Sequence, residues 1–393
     1  MPAVPTTITR EEARHYLTGQ LLLRRPSKRT GLAGARALLD ELRCIQLDPL
    51  DAIGTNPDLV AIARVDELAR GDLFRAVYPG RAFEHWAKER CLLPASAFPR
   101  YRDRAAEAPW WRHEERLKRL PAGVLEKVLD ELRAHGPMTS AELTDHGAVE
   151  AINWSGWKGT AKAQTMALEV LWTRCEIVVC GRDGNTKLYD VPERALPKVA
   201  SLRTDPEEFF RWAILERVEA AGLLSRAGGA TWSMLEPARA TGLVGQLVDE
   251  GLLEEVLIEG SSRPYLAPAR FRRRRFPDYD NRLRILGPLD PLLWDRALVR
   301  HVFDFDYVWE VYKPAKQRRW GWYVCPLLQR DRFVGRLEGT VDRSLRIRKL
   351  WVESGATLDE DALDAALTRH AEACRVARVV KPRRVAAPRR HAP

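Results

Sequence analysis

No apolar run in the chain approaches the roughly 18 residues of a membrane-spanning helix, so a soluble protein is expected. The opening stretch MPAVPTTITREEARHYL lacks a basic segment followed by an apolar one and a small-residue cleavage site, so no secretion signal is read there and the cytoplasm is the expected compartment. Cysteine is sparse. The 6 in 393 residues are scattered, with no CxxC and no paired Cys/His spacing, which argues against a disulfide scaffold or a structural zinc site and for reduced, mostly buried thiols. Neither a metal nor a cofactor is expected. Negative charge is in the minority, 54 acidic residues against 64 basic, for a net charge of +10. A positive surface concentrates phosphates around itself, so a polyanionic partner is indicated.

The length suggests two to four packed units, and an apolar fraction of 45% beside a charged fraction of 30% describes a globular chain with a sizeable core. The positive charge is clustered. RFRRRRF carries five arginines between 270 and 275, YKPAKQRRWGWY at 312–323 interleaves four cations with aromatics, and beyond Glu372 only basic residues carry charge. Taken singly, each run also fits a solvated face or a disordered tail.

The chain divides by its patterning. TITREEARHYL offers Thr7 or Thr9 as a helix cap, with Glu11 and Glu12 where the helix dipole favours them. GLAGARALLDELRCIQLD places Leu38, Leu39 and Leu42 at helical spacing and then switches to period two, Ile45 and Leu47 alternating with Gln46 and Asp48. Residues two apart share one face of an extended segment, so Gln46 and Asp48 point the same way, and Pro49 ends the extended piece. At 122–195 a helix GVLEKVLDELRAHG, a turn PMTSAEL opening a second helix, a third helix TAKAQTMALEVLWTR and a hairpin around RDGN give the winged-helix order. Residues 206–268 repeat that grammar. From 283 to 353 short β-like runs dominate, TLDEDALDAALTRHAEACRVARVV reads as an amphipathic helix, and KPRRVAAPRRHAP reads as disordered.

The expected architecture is therefore α+β: tandem winged helix-turn-helix units and a C-terminal β-rich module. The expected divisions are a first winged unit with connecting helices at 7–110, a second at 120–197, a third at 205–270, the β-rich module at 280–353, a helix at 355–380 and a basic tail at 381–393. Such cores set one helix against a duplex groove. Several in one chain, without a ligand domain or an obvious dimerisation helix, suggest a monomer cradling a long stretch of double-stranded DNA. Winged units also serve as protein-interaction modules.

The chain resembles the tandem winged-helix DNA glycosylases of the AlkZ/YcaQ group, which excise alkylated bases and unhook interstrand crosslinks. The likeness runs from about residue 8 to about 353. It is carried by IQLD with DLVAIARV, by FEHWAKERCLLP at 83–94, by WKGTAKAQTMALEVLWTRCEIVV with GRDGNTKLYDVPERALP at 157–197, and by LGPLDPLLWDR, FDFDYVWEVYKPAKQRRWGWYVCPLL and GRLEGTVDR in the β-rich module. The group's catalytic signature is Gln-x-Gln in one branch and Gln-x-Asp in the other, and Gln46-Leu47-Asp48 is similar to the second. The resemblance thus implies Gln46 and Asp48 as the active-site pair, base excision repair at the nucleoid as the setting, and DNA carrying alkylation damage or crosslinks as the partner. Two departures stand out: Thr55, Pro57 and Asp58 lie where relatives of that branch tend to carry an Arg and a His pair, and Lys88 takes the place of the usual His in the FEHWAKER motif.

The implied chemistry suits the residues. Hydrolysis of an N-glycosidic bond passes through an oxocarbenium-like sugar, which calls for negative charge and an oriented water. Asp48 is expected to be stabiliser and general base, and Gln46 a neutral group holding the water or the sugar oxygen. An N7-alkylated purine is already cationic and leaves without a general acid. Base flipping costs a few kcal/mol and is hard for a base tethered to both strands, so attack from a groove is favoured. Lys158 and Lys162 before the third helix of the second unit, and Lys316, Arg318, Arg319 and Trp320 in the β-rich module, are the candidate DNA contacts; a solvated helix start equally accounts for the first two. Glu84, His85 and Trp86 either line the same cleft as Gln46 and Asp48 or, the reading preferred, sit on an aromatic-rich helix buried on a domain seam. The alternative to a glycosylase is a catalytically silent winged-helix DNA-binding protein, regulatory or architectural.

Overall fold

The computed structural model describes residues 5–107, 110, 112–152, 159–184 and 186–382. The fold is mixed α and β and falls into two compact units, one drawn from residues 1–73, 87–90 and 213–393, the other from 74–86 and 91–212. No helix among the described residues is long and apolar enough to cross a membrane.

In the first unit, Thr9 caps the helix Arg10–Gln20 with a reciprocal capping box: Thr9 Oγ1 accepts the Glu12 N–H at 3.0 Å, and Glu12 Oε2 accepts the Thr9 N–H at 2.8 Å. Thr7 lies in a strand, Thr6–Ile8, which runs parallel to Leu253–Ile258 with Thr6 opposite Val256. That strand borders a four-stranded sheet continued by Tyr265–Pro268 and Leu224–Ser225. With the helices Phe209–Ala221 and Leu243–Asp249 this is the helix, strand, helix, hairpin order of a winged unit. Buried Ile8, Val256, Ile258, Leu266 and Trp232 fill its centre.

The β-rich module is a five-stranded sheet in the order Leu283–Ile285, Val324–Gln329, Arg332–Val341, Leu345–Val352, Val379–Val380, with the helix Glu360–Ala373 packed on it. Ala52, Ile53 and Leu59, just past the Gln-x-Asp stretch, belong to the same core. The backbone is tied there too: Ala52 O accepts the Val341 N–H at 3.0 Å, and Ile53 O lies 2.6 Å from His370 Nε2. A fully buried ion pair fastens the N-terminal part to this module. Arg64 donates to both carboxylate oxygens of Asp290, at 2.7 and 2.9 Å, and also to Leu21 O and Val60 O.

The second unit is built on the helices Val124–His135 and Ala163–Thr173 and the hairpin Val178–Asp183/Thr186–Asp190, around Val128, Leu132, Leu171, Trp172 and Ile177. Asn185 of the expected RDGN turn lies outside the described residues, as do 383–393 of the basic tail. Two expected helices are absent. PMTSAEL opens no second helix: Glu142 accepts the Thr139 N–H at 2.7 Å, but the chain makes a single turn and enters the strand Ala148–Glu150. Leu143 and the partly buried Met138 are the large apolar residues in that stretch, too little to hold a helix. FEHWAKER is likewise not helical; it forms the strands Ala82–Ala87 and Glu89–Pro94 turning at Lys88, with Glu89 at φ 78°. Phe83, Glu84, His85, Lys88, Cys91 and Leu92 are all buried and Glu89 alone between Ala82 and Pro94 is exposed, so the strands show no period-two alternation.

Candidate active site and DNA-contact residues

The helix Gly31–Leu42 ends at Arg43, whose φ of 67° breaks the helical path and sends the chain into a two-residue strand, Ile45–Gln46. The extended run continues as the Leu47 N–H donates to Arg90 O at 2.8 Å. Gln46 is buried. Its main-chain oxygen accepts from Asn56 Nδ2 at 2.8 Å, and its side-chain Oε1 accepts from Lys88 Nζ at 3.2 Å. An ammonium can only donate, so the oxygen of the Gln46 amide is the atom facing Lys88 and the NH2 is left to point elsewhere.

Asp48 is half-buried at the end of the run. Its Oδ1 accepts the Leu50 N–H at 2.9 Å across Pro49, a local turn that fixes the carboxylate without neutralising it. No cation among the described residues forms an ion pair with it. Burial pushes its pKa up, and the Leu50 N–H opposes that only in part. Tyr323 is close enough to feel this charge: burial first, then Cys325 and Asp48, raises its phenol well above the ordinary range.

Thr55, Asn56, Pro57 and Asp58 have structural work. Thr55 and Asp58 form the capping box of the helix Asn56–Ile62, and Pro57 sits in its first turn. Asp58 also accepts the Gly71 N–H at 2.7 Å. Asn56, fully buried, secures the main chain at Gln46. Gly287 lets the β-rich module approach it, because a Cβ there would lie 2.7 Å from Asn56 Oδ1. In the second unit Glu84 is held by Arg182 Nε at 2.9 Å and by the Tyr78 hydroxyl at 3.1 Å. His85 packs 5.0 Å from the Trp172 ring and 4.7 Å from that of Trp110.

Among the candidate DNA contacts, Lys158 lies outside the described residues. Lys162 is exposed at the N-cap of the helix Ala163–Thr173 and stands 3.6 Å from Asp145. Lys316 is exposed on the 304–323 loop. Arg318 turns back onto that loop, donating to Lys313 O at 2.8 Å. The Arg319 guanidinium lies 4.9 Å from the Trp320 ring, whose centroid is also 4.0 Å from the Arg336 guanidinium. Buried Glu310 accepts the N–H groups of Arg319 and Trp320 at 3.0 and 2.7 Å and an ammonium proton of Lys313 at 3.1 Å. Burial pushes the Glu310 carboxyl up, but those three donors together hold it below its usual range. A carboxylate thus fixes the loop backbone at Arg319 and Trp320.

Sequence reasoning marked Lys88 as a replacement but did not place it against Gln46. Its one signal was a lysine where the FEHWAKER motif usually carries a His.

The fold is a mixed one of winged units and a β-rich module, and among the described residues Asp48, two positions from Gln46, forms no ion pair. The family described as DNA glycosylase AlkZ-like matches residues 39–373, and the chain belongs to that family. Among solved structures, Streptomyces sahachiroi DNA glycosylase AlkZ aligns over 96% of this chain and 100% of its own, with a TM-score of 0.63 at 18% identity, a likeness of fold. Family membership decides the choice that the sequence left open: the protein is a DNA glycosylase rather than a silent DNA-binding protein.

Proposed function

We infer that the protein hydrolyses the N-glycosidic bond of N7-alkylated purines in duplex DNA, including bases joined in interstrand crosslinks, and that Gln46 and Asp48 carry the reaction. The observation that carries this reading is the state of Asp48: half-buried, free of any ion pair among the described residues, and oriented by one backbone N–H. A carboxylate so placed keeps its charge available for a developing oxocarbenium ion and can take a proton from the attacking water. Gln46, its oxygen engaged by Lys88, offers amide N–H groups to that water or to the sugar oxygen. Lys316, Arg319 and Lys162 supply sequence-independent phosphate contacts, and the protein acts as a monomer.

The test is release of free base from two purified duplexes, one carrying a single 7-methylguanine and one a nitrogen-mustard crosslink. Release from both supports the reading. Release from neither, with DNA binding intact, removes the assignment of substrate; release from the first alone restricts it to monoadducts and removes crosslink unhooking.

A further inference from the structure

We propose that Lys88 gives the protein a second activity: it attacks the aldehyde of an abasic deoxyribose and cleaves the strand on the 3′ side of that sugar. This rests on the reading of Gln46 and Asp48 as the hydrolytic pair, because contact with Gln46 is what places Lys88 beside the sugar.

Three observations converge on this residue. Its ammonium nitrogen lies 3.2 Å from Gln46 Oε1, one side chain from the reaction centre. It is buried, at 7% exposure, at the turn between two strands, so backbone on both sides holds its stem. It also lines a cavity of about 360 Å³ walled by Thr231, Arg263, Trp294, Asp295 and Arg296, with the Trp294 ring centroid 5.8 Å from Nζ. Neither Gln46 nor Asp48 lines that space; Lys88 is what links it to the pair. Three cations against one carboxylate make the cavity suited to a sugar bearing phosphates.

Buried lysines are the residues proteins use for Schiff-base chemistry with carbonyl substrates. After the base has left, the deoxyribose opens to an aldehyde at C1′. Lys88 first gives up one ammonium proton to solvent, which frees its lone pair to bond to C1′; the carbonyl oxygen then leaves as water with that proton and a second one from the nitrogen, and a protonated imine remains. That cation acidifies C2′. A base, for which Asp48 is the nearest carboxylate in sequence to Gln46, removes the C2′ proton; the electron pair becomes the C2′–C3′ double bond, and the C3′–O bond breaks with its electrons leaving on the phosphate. Water then hydrolyses the imine and restores the amine. No oxidant, reductant or metal enters the balance.

The experiment uses full-length protein and a duplex containing a pre-formed abasic site, so that base release is not required. Sodium borohydride is added to reduce any imine to a stable amine. The expected result is a covalent protein–DNA adduct on a denaturing gel, its digest carrying the modification on the peptide containing Lys88, and strand cleavage when borohydride is omitted. Lys88→Arg keeps a cation and a donor toward Gln46 but cannot form the imine, and the adduct should fall to background. Absence of the adduct in wild type, its mapping to another amine, or its persistence in Lys88→Arg overturns the proposal. Base release from 7-methylguanine DNA is read in parallel. Adduct without base release sinks the hydrolytic reading alone, whereas base release without adduct sinks only the role given to Lys88.

Discussion

Replacing Asp48 by Asn removes one negative charge and almost nothing else. The single hydrogen bond of the carboxylate, from the Leu50 N–H to Oδ1, can be kept by the amide oxygen. At a separation of about 4 Å and an effective dielectric constant of about 20, suited to a half-buried group, a carboxylate and a unit positive charge attract by about 4 kcal/mol. The oxocarbenium ion carries part of a unit charge. At about 1.4 kcal/mol per decade the expected loss is therefore about 10²- to 10³-fold in the rate of base release. The assay is single-turnover release of 7-methylguanine from a duplex under saturating enzyme, followed against pH. Burial raises the Asp48 carboxyl, so the acid limb of the wild-type profile should lie above the ordinary aspartate range, near 3.9, and Asp48→Asn should lack that limb. Stability should move the other way. A carboxyl whose folded value is raised favours the native state when protonated, and that contribution is lost as pH rises through the folded value; at neutral pH the Asn variant should melt no lower than wild type. Base release within a few-fold of wild type would refute the role given to Asp48. A large activity loss accompanied by a fall in Tm would show that the side chain is structural.

Arg64→Met should destabilise by about 3–5 kcal/mol in denaturant titration, because it strands the buried Asp290 carboxylate, whereas Arg64→Met with Asp290→Leu should recover most of that loss. Lys316→Ala, at an exposed cation, should weaken binding to all duplexes alike and reduce the slope of log affinity against log salt by about 1, with base release at saturation unchanged. Glu310→Ala should cost about 2–3 kcal/mol at neutral pH, since two backbone N–H groups and Lys313 lose their acceptor. Because the Glu310 carboxyl is held low, that difference should persist as pH falls and close only below the ordinary glutamate range of about 4.3.

The patterns that rest on neighbouring residues were legible in the sequence. The helix start at Thr7 or Thr9, where the structure chooses Thr9, the switch to extended backbone before Gln46, and the helix-then-hairpin order of 163–190 all follow from local periodicity and turn chemistry. Where burial is two-sided, the signal fails. Ala82–Pro94 reads as a helix because Glu84, His85 and Lys88, which should have marked a solvent face, are as buried as Phe83 and Leu92. The winged pattern suggests a second helix after Pro137, yet Thr139 and Glu142 satisfy one another in a turn and little apolar surface follows. Contacts between distant positions were invisible: Arg64 with Asp290, Asn56 with Gln46, Lys88 with Gln46. Gln46 and Asp48 emerged from motif likeness; alternation alone could place them on one face but not say what shares it.

The strand Thr6–Ile8 has a partner 250 positions further along, Thr6 facing Val256. During synthesis it leaves the ribosome 250 residues ahead of its complement, which at roughly 5–20 residues per second follows some tens of seconds later. Until then its hydrogen-bonding edge has no native mate, and the sheet that it borders closes as a late event of biogenesis. Alterations at residues 6–8 should therefore disturb maturation at residues 253–258, far from the change in sequence.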